Sequence, residues 1–268
     1  MILVLLPALI FAQGIYVRGG LGIATSLSPG YWYQVTRTTS GSTTQTVDEY
    51  KKNGFGSGIP FVLAGGYYLS ENFAIELGVD YFMGFSHKMN DDYSTSYHKY
   101  NEHATMLSLV PAVVFRVQLD KITPYARLGV KIGILNSLVG KEEYTSAYGI
   151  EAPTTLTEST YKDKGGIAIG GQAALGAEYA LGDKLSVFAE INIDAISYSP
   201  KKGKYTVYKV DGADKLGSMS TNAKEWEYVK STNSTDTQTD SDPAKYLKYN
   251  RSLTNGALIL GVKFTIGK

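Results

Sequence analysis

The side chains best suited to catalysis are three histidines that lie in one segment of the chain. His87, His98 and His103 are the only histidines, and they lie near Ser86, Asp91, Asp92 and Glu102. Histidine beside serine could support hydrolysis, and His98 and His103 with Glu102 could bind a divalent metal. However, no spacing here fixes a nucleophile beside a base or resembles a known metal site. We therefore predict no catalytic, cofactor or metal site, and a lipid-modifying hydrolase is a distant alternative.

A second set of reactive side chains consists of charged residues at alternate positions within apolar segments. If those segments are strands, one face carries Arg18, Glu76, Asp80, Arg116, Arg127, Lys131, Glu178, Glu190, Asp194 and Lys263. Five of these residues are cations and five are anions, so pairing is expected because an unpaired buried charge is costly. Heights along the strands predict the pairs Glu76 with Arg116, Arg127 with Glu178, and Glu190 with Lys263.

The elements that would position these charges are eight segments with a period of two. Hydrophobic residues alternate with polar or small ones in residues 14–26, 58–69, 73–86, 105–119, 124–135, 166–181, 185–198 and 256–266. Strict alternation predicts strands with one apolar face, and no segment has a helical period. Glycines recur on the charged face, as crowding inside a narrow barrel requires.

The connections between the segments alternate strictly in length. Residues 70–72, 120–123 and 182–184 form tight turns, whereas residues 27–57, 87–104, 136–165 and 199–255 form long loops. Short periplasmic turns, long extracellular loops and an even strand number are typical of outer-membrane barrels. We therefore predict an all-β protein, an eight-stranded antiparallel up-and-down transmembrane barrel. A soluble sandwich or lipocalin-like barrel is the weaker alternative.

Composition excludes several other classes of protein. The 268 residues include 26 Lys and Arg against 25 Asp and Glu, which gives no electrostatic footprint for nucleic acid. The chain has no cysteine and therefore no disulfide framework or thiolate metal site. Beyond residue 12 no apolar run is long enough for a membrane-spanning helix.

The first residues form a separate unit. Residues 1–12 are an apolar run that ends at Ala12, with the length of a signal-peptide core. The Lys or Arg that normally precedes such a core is absent. We predict a signal peptide at residues 1–12 and one barrel domain at residues 13–268.

The long loops are rich in aromatic and small polar residues. Aromatic side chains supply rigid contact area, so a recognition surface could be built from Tyr31, Trp32, Tyr33, Tyr97, Trp226 and Tyr228. The fourth loop is long enough for a hairpin that pairs residues 204–210 with 224–230, and we expect it to fold over the barrel mouth. Packing of these aromatic residues against the strand extensions is the alternative.

Two stretches resemble hairpins of the small OmpA-like outer-membrane barrels. They are GGYYLSENFAIELGVDY at residues 65–81 and TPYARLGV at residues 123–130. The resemblance implies an eight-stranded barrel in the bacterial outer membrane, in contact with its lipid, and it says little about activity. We expect a non-enzymatic monomer with a structural or surface-recognition role and a protein or glycan ligand at the loops. The alternative is a small-solute channel gated by the interior ion pairs, although eight strands leave little interior space.

Overall fold

The computed structural model describes residues 14–28, 31–40, 43–52, 54–93, 96–146, 154–231 and 239–266. The predicted signal peptide lies outside these residues and stays a prediction. The strands are β1 (Ile15–Ser26), β2 (Tyr31–Ser40), β3 (Thr43–Lys52), β4 (Gly58–Tyr68), β5 (Phe73–Gly84), β6 (His87–Tyr93), β7 (Ser96–Arg116), β8 (Ile122–Ser146), β9 (Thr155–Lys164), β10 (Ala168–Ala180), β11 (Leu185–Tyr198), β12 (Lys202–Val210), β13 (Ala213–Asp214), β14 (Glu225–Val229), β15 (Ala244–Leu247), β16 (Arg251–Ser252) and β17 (Asn255–Ile266).

Helical structure is confined to one short part of the described chain. A 3₁₀ turn at Leu216–Ser218 precedes helix α1 at Thr221–Lys224, and the Ser220 side chain caps that helix by accepting from the Ala223 amide. Among the described residues, no helix is long and apolar enough to cross a membrane.

Eight strands close into an antiparallel barrel. The pairing order is β1, β4, β5, β7, β8, β10, β11 and β17, and β17 pairs back onto β1 from Ile15↔Ile266 to Ser26↔Asn255. Each barrel strand corresponds to one of the eight alternating segments, which confirms the predicted fold class. The three tight turns lie at one end of the barrel, between β4 and β5, β7 and β8, and β10 and β11.

The outer surface of the barrel is hydrophobic and exposed. In β5 every odd residue from Phe73 to Met83 faces outward and every even residue faces inward. Leu77, Leu128 and Leu260 are 59%, 62% and 58% exposed. Such side chains are unfavourable in water and suit the hydrocarbon of a bilayer, so this surface is the membrane-facing belt.

Two barrel strands extend well beyond the predicted segments. We predicted strands at 105–119 and 124–135, whereas β7 begins at Ser96 and β8 continues to Ser146. Outside the bilayer the outward face of a strand meets water instead of lipid, so the apolar and polar alternation that reveals a membrane strand disappears. Polar cross-strand pairs take its place, such as Lys99 with Glu143 at 3.2 Å.

These extensions support a sheet that stands above the barrel on the long-loop side. β9 pairs with β8, β12 pairs with β9, β14 pairs with β12, and β15 adds in parallel to β14. Of the predicted hairpin between residues 204–210 and 224–230, the structure forms one pair, Lys204↔Glu225. β12 and β14 pair only from Lys202↔Glu227 to Lys204↔Glu225, and the rest of β12 pairs with β9 or β13. The third loop, which contributes β9, therefore helps to form the sheet above the barrel mouth, as the fourth loop does.

Candidate functional site

The lower part of the barrel lumen holds a cluster of two arginines and two glutamates. The Arg18 guanidinium lies 2.9 Å from Glu76 and 2.9 Å from Glu190. On the opposite wall, Arg127 contacts Glu190 at 2.7 Å and Glu76 at 3.7 Å. All four side chains are buried. Each carboxylate therefore faces both cations.

Two tyrosines complete this cluster from below. The Tyr16 hydroxyl donates to Glu76 at 3.0 Å, and the Tyr125 hydroxyl donates to Glu190 at 2.7 Å. The Tyr16 ring lies over its cross-strand neighbour Gly66, where an added Cβ would approach the ring to 2.1 Å. Glycine at this position gives the ring space inside the narrow barrel.

A second charged cluster lies one tier closer to the mouth. Lys131 is 2% exposed and lies between Asp80 at 3.1 Å and Asp194 at 2.6 Å. The Gln172 amide donates to both aspartates at 2.9 Å, and Asn192 donates to Asp194 at 3.0 Å. Hydrogen bonds thus supplement the ion pairs around Lys131.

The ten charged residues occupy the predicted face, but the pairs predicted from strand height are wrong. Lys263 pairs with Glu178 rather than with Glu190. Arg116 does not pair with Glu76; it lies 4.5 Å from the Tyr68 ring centre and donates to Gln118. An eight-stranded barrel is about one long side chain wide, so partners are reached across the lumen as well as along neighbouring strands.

An apolar layer separates these charges from the loop end of the barrel. Phe82, Met106 and Ile196 point inward and are each at most 3% exposed. Phe188 and Ile259 lie lower, beside the charges: the Arg18 guanidinium is 5.1 Å from the Phe188 ring centre, and Ile259 is the cross-strand neighbour of Glu190. Tyr198 and Leu253 extend the layer upward, and Tyr249 from the fourth loop packs against it. The side chains inside the barrel thus change from charged to apolar toward the mouth.

Above the apolar layer, the extended strands and the fourth loop enclose a cavity of about 300 Å³, which we call the mouth cavity. Its walls come from β7, β8, β9, β12, α1, β14, β15 and β16. The lining residues are Glu102, Glu142, Tyr161, Asp163, Tyr205, Ala223, Trp226, Tyr228, Tyr246, Tyr249 and Arg251.

Asp163 organises the aromatic wall of the mouth cavity. Its carboxylate accepts from Trp226 Nε1 at 2.9 Å, from the Tyr228 hydroxyl at 2.9 Å and from the Tyr249 hydroxyl at 2.7 Å. Burial raises the pKa of Asp163, while these three donors act in the opposite direction. The side chain is 1% exposed, so Asp163 acts mainly to hold the three rings in place.

Glu102 and Glu142 are the other carboxylates of the mouth cavity. Tyr161 donates to Glu102 Oε1 at 3.2 Å, and Arg251 Nη2 lies 3.7 Å from Glu102 Oε2. Ser159 donates to Glu142 at 3.3 Å. Burial raises the pKa of both carboxyls, and the nearby Asp163 and Glu142 charges raise that of Glu102 further.

Two glycines allow aromatic rings to line the cavity. An added Cβ on Gly203 would lie 2.0 Å from Asp163 Oδ1 and 2.2 Å from Trp226 Nε1, and one on Gly140 would lie 2.1 Å from the Tyr161 ring. Both rings lie across the sheet from their glycine, in the pairs Gly203↔Trp226 and Gly140↔Tyr161. Any larger residue at these positions would displace the ring.

Comparison with known families agrees with this architecture. A family model described as outer membrane protein beta-barrel domain matches residues 7–212. The chain belongs to this family. It is therefore a protein of the bacterial outer membrane, with its belt in the lipid and its long loops outside.

Solved barrels of this type are only distantly similar. The attachment invasion locus protein Ail of Yersinia pestis has 10% identity and a TM-score of 0.35, over 95% of this chain and 99% of that chain. The Neisserial surface protein NspA has 10% identity and a TM-score of 0.37 over the same shares. Comparison with curated protein sequences finds no significant match.

The predicted recognition residues are distributed unevenly in this outer-membrane barrel. Trp226 and Tyr228 line the mouth cavity, and Tyr97 lies on the β7 extension with the Lys99 ammonium 5.4 Å from its ring centre. Tyr31, Trp32 and Tyr33 belong to β2, whose side chains lie outside the described residues. Sequence reasoning named Glu102 only as a possible metal ligand beside the histidines, and it missed Glu142 and Asp163 of the cavity. A signal was present in the spacing of Tyr161 and Asp163, which places both on one face of a strand.

The three histidines lie on β6 and on the extended part of β7. His98 Nδ1 lies 2.6 Å from the Tyr100 hydroxyl, which belongs to the same strand. Burial lowers the pKa of His87, His98 and His103. Among the described residues, no group of three or more His, Asp or Glu side chains could hold a metal ion.

Proposed function

We propose that this outer-membrane barrel is a surface-recognition protein whose ligand site is the mouth cavity. The observation that carries the proposal is the contrast between a lumen crossed by buried ion pairs and a cavity above it. Residues of three loops converge on about 300 Å³ of space lined by aromatic rings and a few polar groups. Small-molecule sites usually have this composition.

The state of the lumen argues against the alternative of a solute channel. A path through the barrel would cross the Arg18 and Arg127 cluster, the Lys131 cluster and the apolar layer around Phe82. Opening it would separate buried ion pairs, which is costly because the charges would lose their partners. The ten interior charges are therefore proposed to be structural.

We infer that the protein acts by binding rather than by catalysis, and as a monomer. No described serine lies in a hydrogen bond with a histidine that could act as its base. The barrel closes through β1 and β17, so its membrane-spanning part leaves no free strand edge that would need a second copy.

Two measurements test this function. The refolded barrel in a planar bilayer is expected to show no stable conductance. Arg127→Ala, which breaks the ion pairs of Arg127 in the lumen, is measured beside the wild type for comparison. Thermal unfolding is then followed with four probes, namely glucose, a sulfated disaccharide, free amino acids and choline. At least one probe is expected to raise the melting temperature of the wild type.

Matched tryptophan variants locate the binding site. The stabilisation is expected to survive Trp32→Leu, in the first loop, and to disappear in Trp226→Leu, in the mouth cavity. Stable wild-type conductance that changes in Arg127→Ala, with no stabilising probe, would instead establish a channel. Stabilisation lost only in Trp32→Leu would move the recognition surface to the first loop.

A further inference from the structure

We propose that the ligand of the mouth cavity is an organic ammonium ion, with its positive nitrogen facing Glu102 and Glu142 and its alkyl groups against the aromatic rings. This inference rests on the proposed function and names the ligand class of that site. Three features of this one cavity support the inference: an excess of negative charge, a hydrogen-bond acceptor without a donor, and an aromatic lining.

The first observation is that the cavity is acidic. Among the described residues that line it, three carboxylates, Glu102, Glu142 and Asp163, face one cation, Arg251. Asp163 accepts hydrogen bonds from three neutral donors. In the part of the chain that the structure describes, Glu102 and Glu142 have one neutral donor each, and Arg251 lies near Glu102. Glu102 is buried and Glu142 is half-buried, and a further positive charge would stabilise both anions.

The second observation is a vacant acceptor on a buried side chain. Glu102 is 4% exposed, yet its Oε2 accepts no hydrogen bond from any described residue. The nearest cation, Arg251 Nη2, is 3.7 Å away, beyond hydrogen-bond distance. The Arg251 guanidinium lies over the rings of Tyr249 and Phe55, at 4.8 and 5.3 Å, which holds it back from the carboxylate. A ligand cation could supply the missing contact.

The third observation is the aromatic wall. Six rings line the cavity, and they contact one another mostly edge to face, as between Tyr205 and Trp226 at 5.2 Å and Tyr228 and Tyr249 at 5.0 Å. Ring faces carry negative potential and attract cations, above all alkylated ammonium groups that water solvates weakly. Burial raises the pKa of Tyr205 to about 12, so this phenol stays neutral and adds no charge of its own.

These features distinguish an ammonium ion from other ligands. A neutral sugar could stack on the rings, but it would leave Glu102 and Glu142 without a counter-charge. An anion would be repelled by the same carboxylates. A volume of about 300 Å³ is at the small end of ligand sites, which suits a cation the size of choline.

The test compares choline with its uncharged isostere 3,3-dimethylbutan-1-ol by titration calorimetry on the refolded full chain. The detergent is a polyoxyethylene ether, because phosphocholine detergents carry the ammonium group and maltosides carry a sugar. Choline is expected to bind at least about tenfold more tightly than the isostere, since only choline pairs with the carboxylates. Equal affinities would overturn the proposal.

Matched variants assign the effect to the cavity. Glu102→Gln keeps the shape and the Tyr161 contact but removes the charge, so choline affinity is expected to fall about tenfold while the isostere is unaffected. Glu142→Gln is a second variant in case the first fails to fold. Glu143→Gln, on the exposed face of β8 with a side chain 53% exposed, is the control and is expected to bind like the wild type.

The outcomes separate this inference from the proposed function. Unchanged choline affinity in both Glu102→Gln and Glu142→Gln would overturn the inference. Glucose or a sulfated disaccharide that binds through Trp226 while choline does not would also overturn it, and the recognition function would stand. If no probe binds and the bilayer conducts, both fail.

Discussion

The barrel lumen and the mouth cavity both contain buried carboxylates near aromatic rings, but the carboxylates differ in how many charged and hydrogen-bonding partners they have. In the lumen, Glu190 faces two arginines at 2.9 and 2.7 Å and a tyrosine hydroxyl at 2.7 Å. In the mouth cavity, Glu102 has one tyrosine at 3.2 Å and one arginine at 3.7 Å. The two glutamates have similar burial and the same kinds of neighbour, so the difference lies in how completely each is paired.

A missing hydrogen bond alone does not mark a binding charge, because Glu76 Oε1 in the lumen also lacks one. Glu76 nevertheless has Arg18 at 2.9 Å, whereas the Arg251 contact of Glu102 is 3.7 Å long, and this weaker ion pairing is what we take to separate a binding charge from a structural one. A carboxylate whose partners are all supplied by the protein stabilises the fold and has little left to offer a ligand. A carboxylate that keeps an unpaired oxygen costs stability in the free protein and gains it on binding. Both regions also use aromatic rings laid on glycine, as with Tyr16 on Gly66 and Trp226 on Gly203, so ring packing alone does not identify the site.

The largest effect is expected from Glu190→Gln in the lumen. The substitution keeps the shape but leaves Arg18 and Arg127 with one carboxylate, Glu76, in a buried environment. We expect a loss of about 3 kcal/mol in the free energy of unfolding, because a buried ion pair loses one partner. Urea unfolding of the barrel in lipid vesicles measures this loss.

Glu143→Gln is the matched control for that experiment. Glu143 pairs with Lys99 at 3.2 Å, and both side chains are at least half exposed. Exposed pairs contribute less than about 1 kcal/mol, so this variant should unfold almost as the wild type does. Equal losses in Glu190→Gln and Glu143→Gln would show that the lumen charges are no better paired than surface charges.

A smaller loss is expected from Gly203→Ala in the mouth. The new methyl group would overlap Asp163 Oδ1 and Trp226 Nε1, so the indole must leave its position. We expect a loss of about 1–3 kcal/mol and a shift of the Trp226 fluorescence toward that of a solvated indole. Gly217→Ala, with no atom within 4 Å of its added Cβ, is the control. An unchanged spectrum in Gly203→Ala would contradict the close contact.

The barrel was predictable from sequence because the membrane imposes a simple rule. Lipid on one side and a packed lumen on the other force strict alternation in segments such as Phe73–Gly84. Alternation also identified the ten interior charges. Alternation could not predict which charges pair. Arg127 contacts Glu76 across the lumen, and such a contact depends on the stagger between the strands and on side-chain length.

The mouth cavity was harder to predict because no such rule applies outside the membrane. Glu102 falls in a segment interpreted as a loop, where an exposed carboxylate is the ordinary case. It becomes buried only when β9 from the third loop brings Tyr161 beside it. Trp226 and Tyr228 were recognised as candidates because aromatic side chains supply rigid contact area, but their common partner Asp163 comes from another loop.

Glu102→Gln should change stability far less than Glu190→Gln, and in the opposite direction. The amide removes a buried charge whose Oε2 lacks a hydrogen bond, and it can still accept from Tyr161. We expect the ligand-free protein to be unchanged or to gain up to about 1 kcal/mol. The same urea unfolding assay measures it. A loss as large as that of Glu190→Gln would mean that Glu102 is a structural charge like those of the lumen.

The smallest expected effect is a pH dependence of the stability of the mouth. The pKa values of Glu102 and Glu142 are raised above their ordinary 4.5, mainly by burial, so the folded mouth binds protons more tightly than the unfolded chain does. These two carboxyls are therefore expected to make the mouth more stable as pH falls through the raised pKa values toward the ordinary one. The three histidines, whose pKa values burial lowers, act in the opposite direction, so the gain is taken as the difference between the wild type and Glu102→Gln. Protection factors for amide exchange in β9 and β14, compared at about pH 8 and about pH 5, measure this gain.

Choline binding should respond to acid in the opposite direction, because protonation removes the negative charge that attracts the ligand. Affinity is thus expected to weaken over the same pH range in which the free mouth becomes more stable. Glu102→Gln should reduce both responses, since one of the titrating groups is gone. If acid stabilises the free mouth and leaves choline affinity unchanged, the carboxylates titrate without contacting the ligand. In that case the unpaired charge of the mouth cavity would not serve recognition.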